Sequence, residues 1–129
     1  MLIPPPKPVK LVEKEVTGQI RDFLKAKGWR AIRMQRTVMP GQFQTGEPGI
    51  ADFLFLYYIK PGVTAAVWIE LKRPGGKLRP QQIEWIRKEL QRGALVWVVE
   101  DFPSFADLYS RQFGWLHDGR LPGQVELFG

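Results

Sequence analysis

A chain of 129 residues holds one domain, since single cores stop growing only beyond roughly 250 residues, and two catalytic domains or a solenoid of long repeats are excluded. With 44% hydrophobic residues, eight Phe, five Trp and three Tyr there is material for a packed core, and the net charge of +6 favours polyanionic partners. The absence of cysteine and the single His117 exclude disulfides, thiolate zinc sites, iron–sulfur clusters and a Cys nucleophile; carboxylates, lysine, hydroxyls and a hard metal such as Mg²⁺ are left to carry any catalysis.

Four of the eleven prolines fall in the first eight residues, so residues 1–9 read as an extended, polyproline-like arm. The arm has no continuous apolar core of the kind a signal peptide needs. The longest apolar run, Phe53 to Ile59, is far short of the roughly 18 residues of a membrane span. No membrane partner and a cytoplasmic location are expected. Between Leu11 and Lys27, Val12, Val16, Ile20, Phe23 and Leu24 recur at helical spacing, with Gly28 as the C-cap. Trp29 to Gln35 alternates as a short strand, after which Pro40, Gly41, Gly46, Pro48 and Gly49 mark a long connection.

Ala51 to Ile59 is apolar on both faces, the pattern of a central strand. Pro61-Gly62 turns the chain into a third strand, Val63 to Lys72. After Pro74-Gly75-Gly76, Pro80 opens an amphipathic helix with Ile83, Ile86 and Leu90 as its apolar side, ended by Gly93. Ala94 to Val99 is a fourth, apolar strand and Phe102 to Arg111 a short covering helix. Beyond Gly114 the chain is again punctuated by Gly and Pro. Strands joined by tight turns pair antiparallel, whereas the last, reached through a helix, is parallel to its predecessor by a right-handed crossover. The expectation is an α/β domain over 10–112 with a mixed central sheet flanked by helices, followed by a tail over 113–129.

Strand periodicity puts Glu70 and Lys72 on one face of the third strand, opposite Val67, Ile69 and Leu71. A turn at Pro61-Gly62 sets Asp52, an isolated charge at the start of an apolar strand, opposite the neighbourhood of Glu70. Two converging carboxylates repel unless a cation lies between them; the bland reading of the same residues is a surface turn with solvated charges. Basic residues concentrate in two stretches, Lys72, Arg73, Lys77 and Arg79, and Arg21, Lys25, Lys27, Arg30, Arg33 and Arg36. Such residues fit phosphate contacts and fit a solvated basic face equally well. His117 reads as a surface or packing residue.

In these motifs the chain resembles a small stand-alone VRR-NUC domain of phage or bacterial type, a branch of the PD-(D/E)xK nuclease superfamily, over about residues 10 to 100. The glutamate of the family's first helix corresponds to Glu15. Gly49-Ile50-Ala51-Asp52 stands for its Gly-x-Pro-Asp, with Ala51 in place of the proline, and Glu70-Leu71-Lys72 for its Glu-x-Lys. Its helix-opening glutamine corresponds to Gln82, or to Gln81 by a shift of one residue.

The resemblance implies a restriction-endonuclease-like αβββαβ core and a DNA endonuclease, structure-selective or a nickase. One or two Mg²⁺ or Mn²⁺ ions would be held by Asp52, Glu70 and the Leu71 carbonyl. Lys72 would be catalytic, Glu15 would support the metal's water shell or a second ion, and Gln82 would position Lys72 or the phosphate. Arg33, Arg36, Arg73, Lys77 and Arg79 would contact DNA. By analogy the chain is a homodimer. A different class of function is open: a nuclease-like module that binds DNA or recruits a clamp without cutting.

Gln124-Val125-Glu126-Leu127-Phe128 resembles the bacterial sliding-clamp-binding pentapeptide, with Gln124 hydrogen bonding and Leu127 and Phe128 filling an apolar pocket. Val125, Leu127 and Phe128 equally suit an extra edge strand on the protein's own sheet.

Overall fold

The computed structural model describes residues 9–34 and 46–118. Its elements are α1 (Val9–Ala26), β1 (Arg30–Arg33), β2 (Phe53–Lys60), β3 (Val63–Leu71), α2 (Pro80–Gln91), β4 (Val96–Val99), α3 (Phe102–Phe113) and α4 (Trp115–Asp118). The strands form one sheet in the order β1-β2-β3-β4, antiparallel except for the parallel pair β3 and β4. The fold is thus mixed α/β with helices flanking a mixed sheet. Among the described residues no helix is long and apolar enough to cross a membrane.

Local chemistry explains where the elements stop. At the end of α1, Gly28 takes φ +98, and two reversed hydrogen bonds, Gly28 N–H to the Lys25 carbonyl and Trp29 N–H to the Leu24 carbonyl, close the last turn. The same pair recurs after α2, from Gly93 to Leu90 and from Ala94 to Glu89. Gly114, by contrast, keeps helical angles (φ −55, ψ −34), so the chain runs on into α4, a turn of helix that glycine punctuation does not announce.

One face of the sheet carries the core. Phe53 and Phe55 of β2, Val67 and Ile69 of β3, and Trp97 and Val99 of β4 pack with Ile20 and Leu24 of α1 and with Phe105, Tyr109 and Phe113 of α3. Trp29 donates its indole N–H to the Tyr109 hydroxyl at 3.0 Å, and His117 stacks on the same ring. His117 is therefore a packing residue of this cluster.

The other face receives α2, in an orientation different from the expected one. Trp85 and Gln82 turn to the sheet and are buried, while Ile83 and Leu90 are each 53% exposed. Two contacts set that rotation. The Trp85 ring meets Trp68 edge to face with centroids 4.9 Å apart, and Gln82 hydrogen bonds to Glu70. An indole buries more apolar area than an isoleucine, so the face bearing Trp85 wins.

Candidate active site

The antiparallel register that pairs Phe53 with Ile69 leaves Asp52 and Glu70 side by side at the open end of β2 and β3. Each carboxylate is clasped by the other strand's backbone. Asp52 N–H donates to Glu70 Oε2 at 3.0 Å, and Leu71 N–H donates to Asp52 Oδ2 at 2.9 Å. The Asp52 carbonyl meanwhile accepts from Met34 N–H at 2.9 Å, so three successive chain segments are tied at this point.

Gln82 supplies the link to α2. Its Nε2 donates to Glu70 Oε1 at 2.7 Å, and its Oε1 accepts from Arg79 N–H at 2.8 Å. Arg79 is extended and Pro80 opens the helix, so the second bond caps a backbone donor at the helix start. One side chain therefore caps the helix and orients the acid. Gln81 is exposed and makes neither bond, so Gln82 is the one of the two glutamines that reaches the acid pair. Replacing Gln82 by Ala removes both bonds; a loss of about 1–2 kcal/mol is expected in urea unfolding. Gln81→Ala should leave the midpoint in place.

Glu70 is only 4% exposed. Burial, and then the neighbouring Asp52 charge, push its carboxyl up to about 8. Burial also raises Asp52, against the Leu71 amide and the Arg33 and Arg79 guanidiniums, which favour its ionised form. Two acids thus share a recess of about 390 Å³ whose walls are Glu13, Lys14, Thr17 and Arg21 of α1, Arg33 of β1, and Arg79.

Compared with protein-family models, curated proteins and solved structures, the chain has no match. The site's chemistry is therefore read from its own geometry.

Of the residues singled out in the sequence, Asp52, Glu70, Leu71, Gln82, Arg33 and Arg79 come together. Glu15 does not join them. It lies on the exposed side of α1 with Gln19 and Asp22, and Glu13, two residues earlier, faces the recess instead. A step of two residues turns a helix by about 200°, so the two glutamates point to opposite sides. The core positions Val16, Ile20 and Leu24 carry the signal that finds Glu13, which falls within about 60° of Val16 and Ile20 on the helical wheel.

Lys72 continues β3 beyond Glu70, and its amine donates to Glu100 Oε1 at 3.0 Å, outside the walls of the recess. The register with β4, in which Lys72 N–H meets the Val99 carbonyl at 2.9 Å, brings Glu100 alongside. Glu100 was not foreseen, because nothing local in the sequence sets that parallel register. Arg73 pairs with Glu13 at 3.4 Å, and Lys77 is exposed. Arg36 and the tail residues Gln124, Leu127 and Phe128 lie outside the described residues.

The donor set suits a hard divalent cation. Among the described residues no three His, Cys, Asp or Glu side chains converge. Mg²⁺, however, is ordinarily held by one or two carboxylates completed by water and substrate oxygens. Burial first, and for Glu70 the Asp52 charge second, raises both carboxyls, and a cation there would offset the cost of ionising them.

Proposed function

We propose that this chain is a metal-dependent endodeoxyribonuclease, structure-selective or a nickase, with a restriction-endonuclease-like core of the VRR-NUC type in the PD-(D/E)xK superfamily. The observation that carries the reading is the reciprocal clasp of Asp52 and Glu70, buried beneath a rim of cations. Asp52, Glu70 and the Leu71 carbonyl would hold Mg²⁺ or Mn²⁺. The ion, when bound, lowers the pKa of a water and polarises a phosphate oxygen.

The chain's own groups do the rest. Gln82 fixes the Glu70 carboxylate by its 2.7 Å bond. Arg33 and Arg79 draw the phosphate to the recess and offset its charge. Lys72, whose amine is held by Glu100 outside the recess, would have to swing to the acid pair to orient the attacking water or balance charge in the transition state. Glu13 takes the place assigned by sequence to Glu15. A homodimer, a sliding clamp held by the tail, and a place in the cytoplasm of a bacterium or phage-infected cell belong to the same proposal.

The reading is tested by incubating single-stranded, duplex, flap and four-way-junction DNA with the protein and Mg²⁺ or Mn²⁺. At least one substrate should be cut. Asp52→Asn, Glu70→Gln and Lys72→Ala should each lower the rate by about 10³-fold. Undiminished cleavage by Glu70→Gln would refute the site. The Lys72–Glu100 pair favours a second reading, in which the lysine is structural and the module binds DNA without cutting. Cleavage by wild type that survives Lys72→Ala would separate a structural lysine from a catalytic one. No cleavage of any substrate, with DNA still bound, would select the non-cutting module.

A further inference from the structure

Several cations of the protein are ion-paired: Arg87 and Lys88 with Glu84, Arg92 with Glu89, Arg111 with Asp107, Arg73 with Glu13, and Lys72 with Glu100. Lys25, Lys27, Arg30 and Lys77, which do not line the recess, are not among these pairs, so position on the recess wall, rather than pairing, singles out Lys14, Arg21, Arg33 and Arg79. Around the recess, Lys14, Arg21, Arg33 and Arg79 form no ion pair among the described residues. Two of these four stand on α1 outside the sequence motifs that suggest a nuclease.

Lys14 and Arg21 are seven residues apart, two turns of helix, which places them on one face about 10.5 Å apart along the axis. Thr17 lies between them, and its hydroxyl donates back to the Glu13 carbonyl at 2.8 Å, so no bulky side chain separates the two cations. Glu13, the acid on this face, is engaged by Arg73. The wall is therefore cationic at two separated points, while the floor beside it carries Asp52 and Glu70. A small single anion would gain from one cation and feel both acids. An extended chain of anions can meet both cations and stay clear of the floor.

We infer that α1 carries a phosphate-binding track, formed by Lys14 and Arg21 across Thr17, that holds one polynucleotide strand by its backbone beside the acid pair. What the strand does there rests on the nuclease reading; its binding does not. The track contacts phosphates alone and so reads no sequence.

The test is fluorescence anisotropy of labelled single-stranded 15-mers of DNA and of RNA in EDTA, where no metal-dependent cleavage occurs, over a series of salt concentrations. Lys14→Ala/Arg21→Ala should weaken binding at least about tenfold at low salt. It should also reduce the salt slope by about 1.4, the value for two single-strand phosphate contacts. Arg87→Ala/Arg111→Ala removes the same charge from ion-paired positions and should change affinity less than about twofold. Circular dichroism confirms that both variants are folded. Equal losses in the two variants, or no loss in the first, would overturn the track. DNA and RNA affected alike supports backbone contact, and an effect confined to one of them contradicts it. A wild type that binds with the expected slope but cuts nothing would keep the track and remove the nuclease reading, whereas cleavage with an unchanged slope would do the reverse.

Discussion

In EDTA the protein should melt at progressively lower temperature as the pH rises from about 5 to about 8, and Mg²⁺ or Mn²⁺ should restore most of the loss. Burial and the adjacent Asp52 charge raise the Glu70 carboxyl to about 8, and Asp52 moves in the same direction. Below the ordinary carboxylate range both the folded and unfolded chains hold the proton, and the folded state keeps its full stability. Between that range and about 8 the unfolded chain ionises freely while the folded one must retain its proton or bury a charge. Stability therefore falls with rising pH, opposite to the trend for a salt-bridged acid. At about 1.4 kcal/mol per pH unit and one proton, the loss over the window is on the order of 4 kcal/mol. For a domain of this size that is on the order of 10 °C in Tm. A cation at about 100 times its Kd returns about 2.7 kcal/mol. Glu70→Gln removes the ionisation, so its melting curves should lack most of this slope and respond little to metal. Parallel pH profiles for the two proteins would mean that the pair does not titrate as described.

Gly49→Ala should cost about 3 kcal/mol or more and abolish any activity of the site, although residue 49 does not itself line the recess. Gly49 has φ +78, and a Cβ there would lie 2.2 Å from the Gln81 carbonyl oxygen and 2.9 Å from the Gln82 nitrogen. Both are backbone atoms of the first turn of α2, which cannot swing aside as a side chain does. Either α2 shifts, taking Gln82 from Glu70, or the segment before Asp52 does. Gly62 is the control, because it has φ +83 with nothing within 4 Å of the added carbon. Gly62→Ala should cost only the left-handed strain, about 1 kcal/mol. Urea unfolding of the two variants measures the difference; equal midpoints would mean that the packing of residue 49 on α2 is slack.

The acid pair was legible in the sequence because it depends on one tight turn. Pro61-Gly62 brings β2 back on β3 and so puts Asp52 near the end of β3, but a one-residue register shift between Tyr58 and Lys60, which the sequence does not announce, is what sets it level with Glu70 rather than Leu71. The element order followed for the same reason, from local periodicity and caps. What was misread depends on a choice between faces. Glu13 and Glu15 both sit in a helical stretch, and only the wheel through Val16, Ile20 and Leu24 separates them. On α2 the run Ile83, Ile86, Leu90 looked like the buried side by hydrophobicity. A cross-sheet tryptophan contact and a polar bond to Glu70 turned the helix toward Trp85 and Gln82 instead. Glu100 meets Lys72 through a parallel crossover, a pairing that no short-range pattern encodes.

The clasp between Asp52 and Glu70 also bears on how the site comes into being. Asp52 and Glu70 are 18 residues apart and Gln82 follows Glu70 by 12, so the acid pair and its glutamine close through short loops within one contiguous stretch. Closing short loops costs little chain entropy, and contacts of low sequence separation form early in folding. The hairpin can assemble the acids before α1 docks, and the docking of α1 then walls them in. On that order, substitutions in the β2–β3 hairpin should slow folding, whereas substitutions in α1 should mainly speed unfolding, which stopped-flow kinetics measures.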